Sequence, residues 1–91
     1  MIKKLIDIIK ISNSQTVKYY LLEQDILNNT KTYGVEIEFF DKANLKTREK
    51  INKITDSYEL ALDIIKILAD KKVTPNSLFY VIDEIFDLAQ K

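Results

Sequence analysis

The sequence predicts an α+β fold: an antiparallel three- to four-stranded meander followed by a C-terminal αα-hairpin packed on the sheet. Three observations predict it. Thr32–Phe40 (TYGVEIEFF) alternates with a period of two, placing Tyr33, Val35, Ile37 and Phe39 on one face and Glu36 and Glu38 on the other. That is the pattern of a half-buried strand. Asn28-Asn29 stands just before it, and asparagine tolerates the left-handed backbone of a tight turn. Beyond Asp56 the apolar spacing changes to three and four, and Thr74-Pro75 marks a second helical start.

Taken in order, Ile2–Ile11 fits two templates. Ile2, Leu5, Ile6 and Ile9 form a helical stripe, while the β-branched density at Ile6, Ile8, Ile9 and Ile11 favours a strand. The turn-like Ser12-Asn13-Ser14-Gln15 follows directly, so the segment is read as a strand leading into a hairpin. Thr16–Ile26 is apolar and aromatic at strand length. With Asn28-Asn29 as the turn centre, Leu22 faces Val35, Tyr20 faces Ile37 and Gln24 faces Tyr33 on the core side. Val17, Tyr19 and Leu21 then fall on the opposite face beside Glu36, Glu38 and Phe40. A slip of one residue would exchange the two sets. Asp41–Lys46 reads as a polar connection. Arg48–Ile54 reads as a short edge strand whose lysines discourage edge-to-edge aggregation.

In the C-terminal third, Asp56 with Glu59 resembles a capping box. Tyr58, Ala61, Leu62, Ile65, Leu68 and Ala69 recur at helical spacing behind it. Thr74 as N-cap and Pro75 as the first helical residue start the second helix, with Val73 and Leu78 as a hydrophobic staple. Leu78, Val81, Ile82, Ile85 and Ala89 line one face, flanked by Phe79 and Phe86. Only Asp70–Val73 separates the helices, hence the αα-hairpin.

The 91 residues fit one domain, with a β-rich part at 1–54 and a two-helix part at 56–90. Hydrophobic residues are 46% and charged residues 31%, a globular balance. The apolar run after Lys3-Lys4 is broken at Asp7 and Lys10, so neither a signal peptide nor a membrane span is expected. With no cysteine either, the expected location is cytoplasmic.

Chemistry is thin. The absence of histidine and cysteine removes the commonest general base, metal ligand and thiolate nucleophile. No catalytic residue, cofactor or metal site is assigned. Asp83 and Asp87 sit four apart on one helical face, but a hard-cation site needs further oxygen ligands. Glu36 and Glu38 as an acid/base pair lack a cleft to raise either pKa. One glycine, Gly34, cannot make a phosphate loop. Tyr19, Tyr20 and Tyr33 could stack single-stranded nucleic acid, yet Glu23, Glu36 and Glu38 flank them. A recognition helix carrying Asp83, Glu84 and Asp87 suits a polyanion poorly.

The remaining signal is apolar surplus. Leu60, Ile64 and Ile67 form a second stripe on the first helix, Phe79 and Phe86 widen the second, and Tyr19 and Leu21 add to the far sheet face. These seven are the interface candidates, against the plainer reading that the first strand or the termini cover them. Charge is uneven: residues 1–53 carry ten Lys/Arg and seven Asp/Glu, and residues 54–91 four and seven. The basic stretch Lys42, Lys46, Arg48, Lys50 and Lys53 is an ordinary solvated face or, alternatively, a nucleic-acid patch.

Tyr19-Tyr20-Leu21-Leu22-Glu23, Thr32-Tyr33-Gly34-Val35-Glu36-Ile37 and Val73-Thr74-Pro75-Asn76-Ser77-Leu78 resemble a family of short bacterial proteins known as a domain of unknown function. The likeness runs from about Val17 to Leu88 and consists of structural punctuation and core positions. Asn76-Ser77 and Phe79-Tyr80 depart from the more charged residues that the family pattern implies there. The resemblance implies no catalytic residues. The functional expectation is therefore a non-enzymatic protein-interaction domain that self-associates or docks on a protein partner. The alternative is a nucleic-acid-binding or regulatory module using residues 42–53.

Overall fold

The computed structural model describes residues 1–89, and their side chains as far as Phe86. Four strands run in chain order through one open antiparallel sheet: β1 (Ile2–Lys10), β2 (Gln15–Ile26), β3 (Thr30–Asp41) and β4 (Asn44–Thr55). Two helices follow, α1 (Tyr58–Asp70) and α2 (Leu78–Ala89), the second preceded by a 3-10 turn at Pro75–Ser77. The α+β class and the meander agree with the alternation in the sequence, and Ile2–Lys10 is a strand.

The β2–β3 register differs from the expected one by a single residue. Asn28 and Asn29 both take left-handed backbone, with φ of 66° and 60°. The loop nevertheless contains three residues, because Ile26 pairs with Thr30. The Thr30 hydroxyl donates to the Leu27 carbonyl and tightens it. Leu21 therefore faces Val35, Tyr19 faces Ile37 and Glu23 faces Tyr33. Since side chains alternate strictly, one residue of slip moves Val17, Tyr19 and Leu21 onto the core face and Tyr20 and Leu22 off it.

β4 is also longer than expected. Asp41 pairs with Asn44 across a two-residue turn in which Lys42 and Ala43 take φ of 53° and 67°. Positive φ at both central residues is the geometry that matches strand twist in a tight hairpin. It is adopted here without glycine or asparagine, and the Lys42 N–H is anchored on the Ser14 carbonyl at 2.8 Å.

Ser57, not Asp56, caps α1: its hydroxyl accepts the Leu60 N–H at 3.2 Å. Asp56 instead lies 3.8 Å from the Lys53 ammonium in an exposed pair. At the other end, Val73 N–H reaches the Leu68 carbonyl and Lys72 N–H the Ala69 carbonyl, both at 3.0 Å, with Lys72 at φ 55°. This is the Schellman arrangement, with lysine where glycine is usual. Thr74 and Pro75 initiate the 3-10 turn rather than α2 itself, and Thr74 makes no side-chain cap bond.

Val17, Tyr19, Leu21, Tyr33, Val35 and Ile37 from the sheet join Ala61, Ile64, Ile65, Leu68, Ala69, Val73, Leu78 and Ile82 in one hydrophobic cluster. The staple residues Val73 and Leu78 are both inside it. Its polar tie is the Tyr19 hydroxyl, which donates to the Val73 carbonyl at 2.8 Å. A buried carbonyl is costly to leave unpaired, so this bond fixes the chain after α1 against β2. Among the described residues no helix is long and apolar enough to cross a membrane.

Candidate functional site at the open sheet face and its edge

The register assigns a face to every strand residue. The core face shows Val17, Tyr19, Leu21, Val35 and Ile37; the opposite face shows Lys18, Tyr20, Leu22, Glu36, Glu38 and Phe40. On β1, Lys3, Leu5, Ile8 and Lys10 sit opposite Leu22, Tyr20, Lys18 and Thr16 and so share this second face. On β4, Lys50 and Arg48 sit opposite Glu36 and Glu38 and share it too.

A charged cluster occupies its centre. The Lys3 ammonium lies 2.5 Å from Glu36 and 3.0 Å from Glu38, reaching from β1 across β2 to β3. It also stands 4.3 Å from the centroid of the Tyr20 ring. Arg48 approaches Glu38 at 3.8 Å from the other side. Lys18 covers the Phe40 ring at 4.7 Å. Both glutamates are buried, an arrangement that is stable only because cations separate and neutralise them.

Burial pushes the Glu38 carboxyl upward, but the adjacent Tyr20 hydroxyl and the Lys3 ammonium outweigh it and hold the group below its ordinary value of 4.5. The Tyr20 hydroxyl is pushed up to about 12, by burial first and then by Glu38. Burial lowers Lys3, but its bonds to Glu36 and Glu38 raise it overall. A carboxylate kept ionised, a phenol kept neutral and an ammonium kept charged suit an electrostatic clamp. They do not suit a proton-transfer pair.

The clamp gives a pH prediction with a definite sign. A depressed Glu38 contributes stability that is present above about pH 4.5 and lost as pH falls through the folded-state pKa. Lys3→Met is expected to cost about 1–2 kcal/mol at neutral pH, a figure reduced because Lys3 is more than a third exposed. The variant should also lose less stability than the parent between about pH 7 and about pH 3. Melting temperatures of the two proteins at both pH values test this, and an identical acid-induced drop would contradict the clamp.

The expected interface residues separate into three groups. Tyr19, Leu21 and Ile64 lie in the core and offer no surface; the register shift explains the first two, and the phase of the α1 stripe explains the third. Phe86 is half-buried and packed against the core. Leu60, Ile67 and Phe79 are exposed. Ile67 lines an apolar groove of about 440 Å³ with Lys71, Val81, Glu84 and Ile85.

The basic residues do not form one patch. Lys42 is in a turn, Lys46 falls at a break in the β3–β4 pairing, Arg48 and Lys50 stand beside Glu38 and Glu36, and Lys53 is near Asp56. Phosphate approach to the middle of this set meets two carboxylates. Tyr33, considered for base stacking, packs edge-on against Tyr58 at 5.6 Å. Among the described residues no group of three or more acidic side chains could hold a metal. The Asp83–Asp87 pair falls partly outside them, since the Asp87 side chain is not described.

The sequence reading placed a strand at β1 but did not count its apolar side chains among the interface candidates. On β1, Ile2, Leu5 and Ile8 are 51%, 49% and 50% exposed, with Met1 and Ile11 also exposed at its ends. The signal was available, because the first strand of a meander is an edge and an apolar edge strand has a neighbouring strand on one side only.

A model for a family of unknown function (DUF6514) matches residues 3–88. No curated protein and no solved structure matches the chain.

Proposed function

We propose, from the premise that the chain belongs to DUF6514, a family of unknown function, that it is a non-enzymatic protein-interaction domain that self-associates. One observation carries the reading. β1 occupies the sheet edge and exposes about half of each of Ile2, Leu5 and Ile8, beside a row of backbone groups with no strand to pair with among the described residues. Exposed apolar side chains and unpaired strand edges are two features through which sheets recruit another chain. Small domains have little stability to spare for such exposure unless it is used.

In this reading the helices pack as an αα-hairpin on the core face of the sheet, and the protein works in the cytoplasm of a bacterial cell. The absence of histidine and cysteine from the sequence supports a role without catalysis. A nucleic-acid or regulatory role for Lys42, Lys46, Arg48, Lys50 and Lys53 has less support, because the set is interrupted by Glu36 and Glu38.

Sedimentation equilibrium over roughly 10 µM to 1 mM tests the proposal. The expected result is a weight-average mass that rises with concentration toward that of two chains. A chain that stays monomeric throughout this range overturns it.

A further inference from the structure

We propose that β1 pairs antiparallel with β1 of a second copy in one particular register, extending the four-stranded sheet to eight strands; this rests on the self-association reading. The argument starts from the bulge in β1. Leu5 pairs with Tyr20 and Asp7 with Tyr19, so Ile6 is an extra residue and the alternation of faces changes phase there. Ile2, Lys4, Asp7 and Ile9 lie on the core face, opposite Glu23, Leu21, Tyr19 and Val17; Lys3, Leu5, Ile8 and Lys10 lie on the other.

Two antiparallel strands related by a two-fold axis must bring residues of the same face together. Two registers that overlap β1 across its bulge satisfy this at every residue that keeps a strand partner in β2. With the axis between Leu5 and Ile6, Ile2 meets Ile9, Lys3 meets Ile8, Lys4 meets Asp7 and Leu5 meets the bulged Ile6, each contact occurring twice. With the axis between Ile6 and Asp7, Lys3 meets Lys10, Lys4 meets Ile9, Leu5 meets Ile8 and Ile6 meets Asp7, again twice each, while Ile2 falls opposite Ile11 just beyond the end of β1.

Charge decides between them. The first register makes two Lys4–Asp7 ion pairs and two Ile2–Ile9 contacts; the second gains two Leu5–Ile8 contacts but makes no ion pair, leaving Lys4 opposite Ile9 and the Asp7 carboxylate opposite Ile6. Among the described residues neither Lys4 nor Asp7 forms a salt bridge within the chain, and both are exposed. Lys3 is already neutralised by Glu36 and Glu38, so it brings no bare charge to Ile8. β4, the other edge, carries Lys46, Arg48, Lys50 and Lys53 and two breaks in pairing. It is the guarded edge.

Charge reversal tests the register. Lys4→Asp and Asp7→Lys each convert both ion pairs into repulsions and should weaken self-association roughly tenfold. An equimolar mixture of the two variants should recover it, because in the mixed dimer both contacts pair opposite charges. Sedimentation of each variant, the mixture and the parent reads the outcome, with melting curves to show that these exposed substitutions leave the fold intact. A parent that associates while the single variants associate equally well, or a mixture that fails to recover, overturns the register and leaves the self-association reading standing. A parent that does not associate overturns both.

Discussion

Gly34→Ala is expected to destabilise the protein by about 3 kcal/mol or more, at the upper end of what over-packing costs. This corresponds to a fall in melting temperature on the order of 10–20 °C for a chain of this length. The cause is close approach, since Gly34 has no positive φ. β3 takes two steps from Tyr33 to Val35, while β4 takes four between their partners Thr55 and Ile51. The two surplus residues bulge toward Gly34. A Cβ there would stand 2.1 Å from the Ile51 carbonyl oxygen and 2.4 Å from that of Asn52, and neither backbone atom can rotate away as a side chain could. Thermal denaturation followed by circular dichroism measures the loss. An alanine variant melting within a few degrees of the parent would show that the bulge yields freely.

Gly34 also shows where reading the sequence stops. Its place in an alternating strand was legible, and so was the division of Val35 and Ile37 from Glu36 and Glu38, because a period of two needs only local information. The need for glycine was not legible, because it arises from a bulge in another strand. The hairpin turns behaved alike. Asn28-Asn29 announced a turn, but whether the loop has two residues or three decides the register, and composition does not encode that. Lys42-Ala43 gave no signal at all, since its backbone is imposed by the flanking pairing and the Ser14 carbonyl.

The site was less legible than the fold. Glu36 and Glu38 were visible as the polar side of a strand, whereas the residue that holds them together, Lys3, lies 33 and 35 positions away. Only the strand order brings it near. β1 was the opposite case: its apolar content was plain and its edge position followed from its being first in the meander, but how much of Ile2, Leu5 and Ile8 stays exposed depends on what packs over the strand, which its own residues do not encode.

The α1 stripe shows the same difficulty on a helix, and it sets up a sharp contrast between neighbours. Ile64 stands three residues after Ala61 and four before Leu68, so it belongs to the middle of their stripe rather than to a second one. Ile64 is 1% exposed, whereas Leu60, one turn earlier, is 44% exposed. Ile64→Asp should therefore bury an unpaired carboxylate among Ile65, Leu68 and the sheet residues, costing about 4 kcal/mol or more and leaving the chain largely unfolded. Leu60→Asp should change stability by no more than about 0.5 kcal/mol, since it is exposed and its new charge lies in the first turn of α1, where the helix dipole favours an acid. Urea denaturation of the two variants separates these outcomes. Equal midpoints would mean that Ile64 does not belong to the core, and the phase assigned to α1, with the core it helps to define, would have to be abandoned.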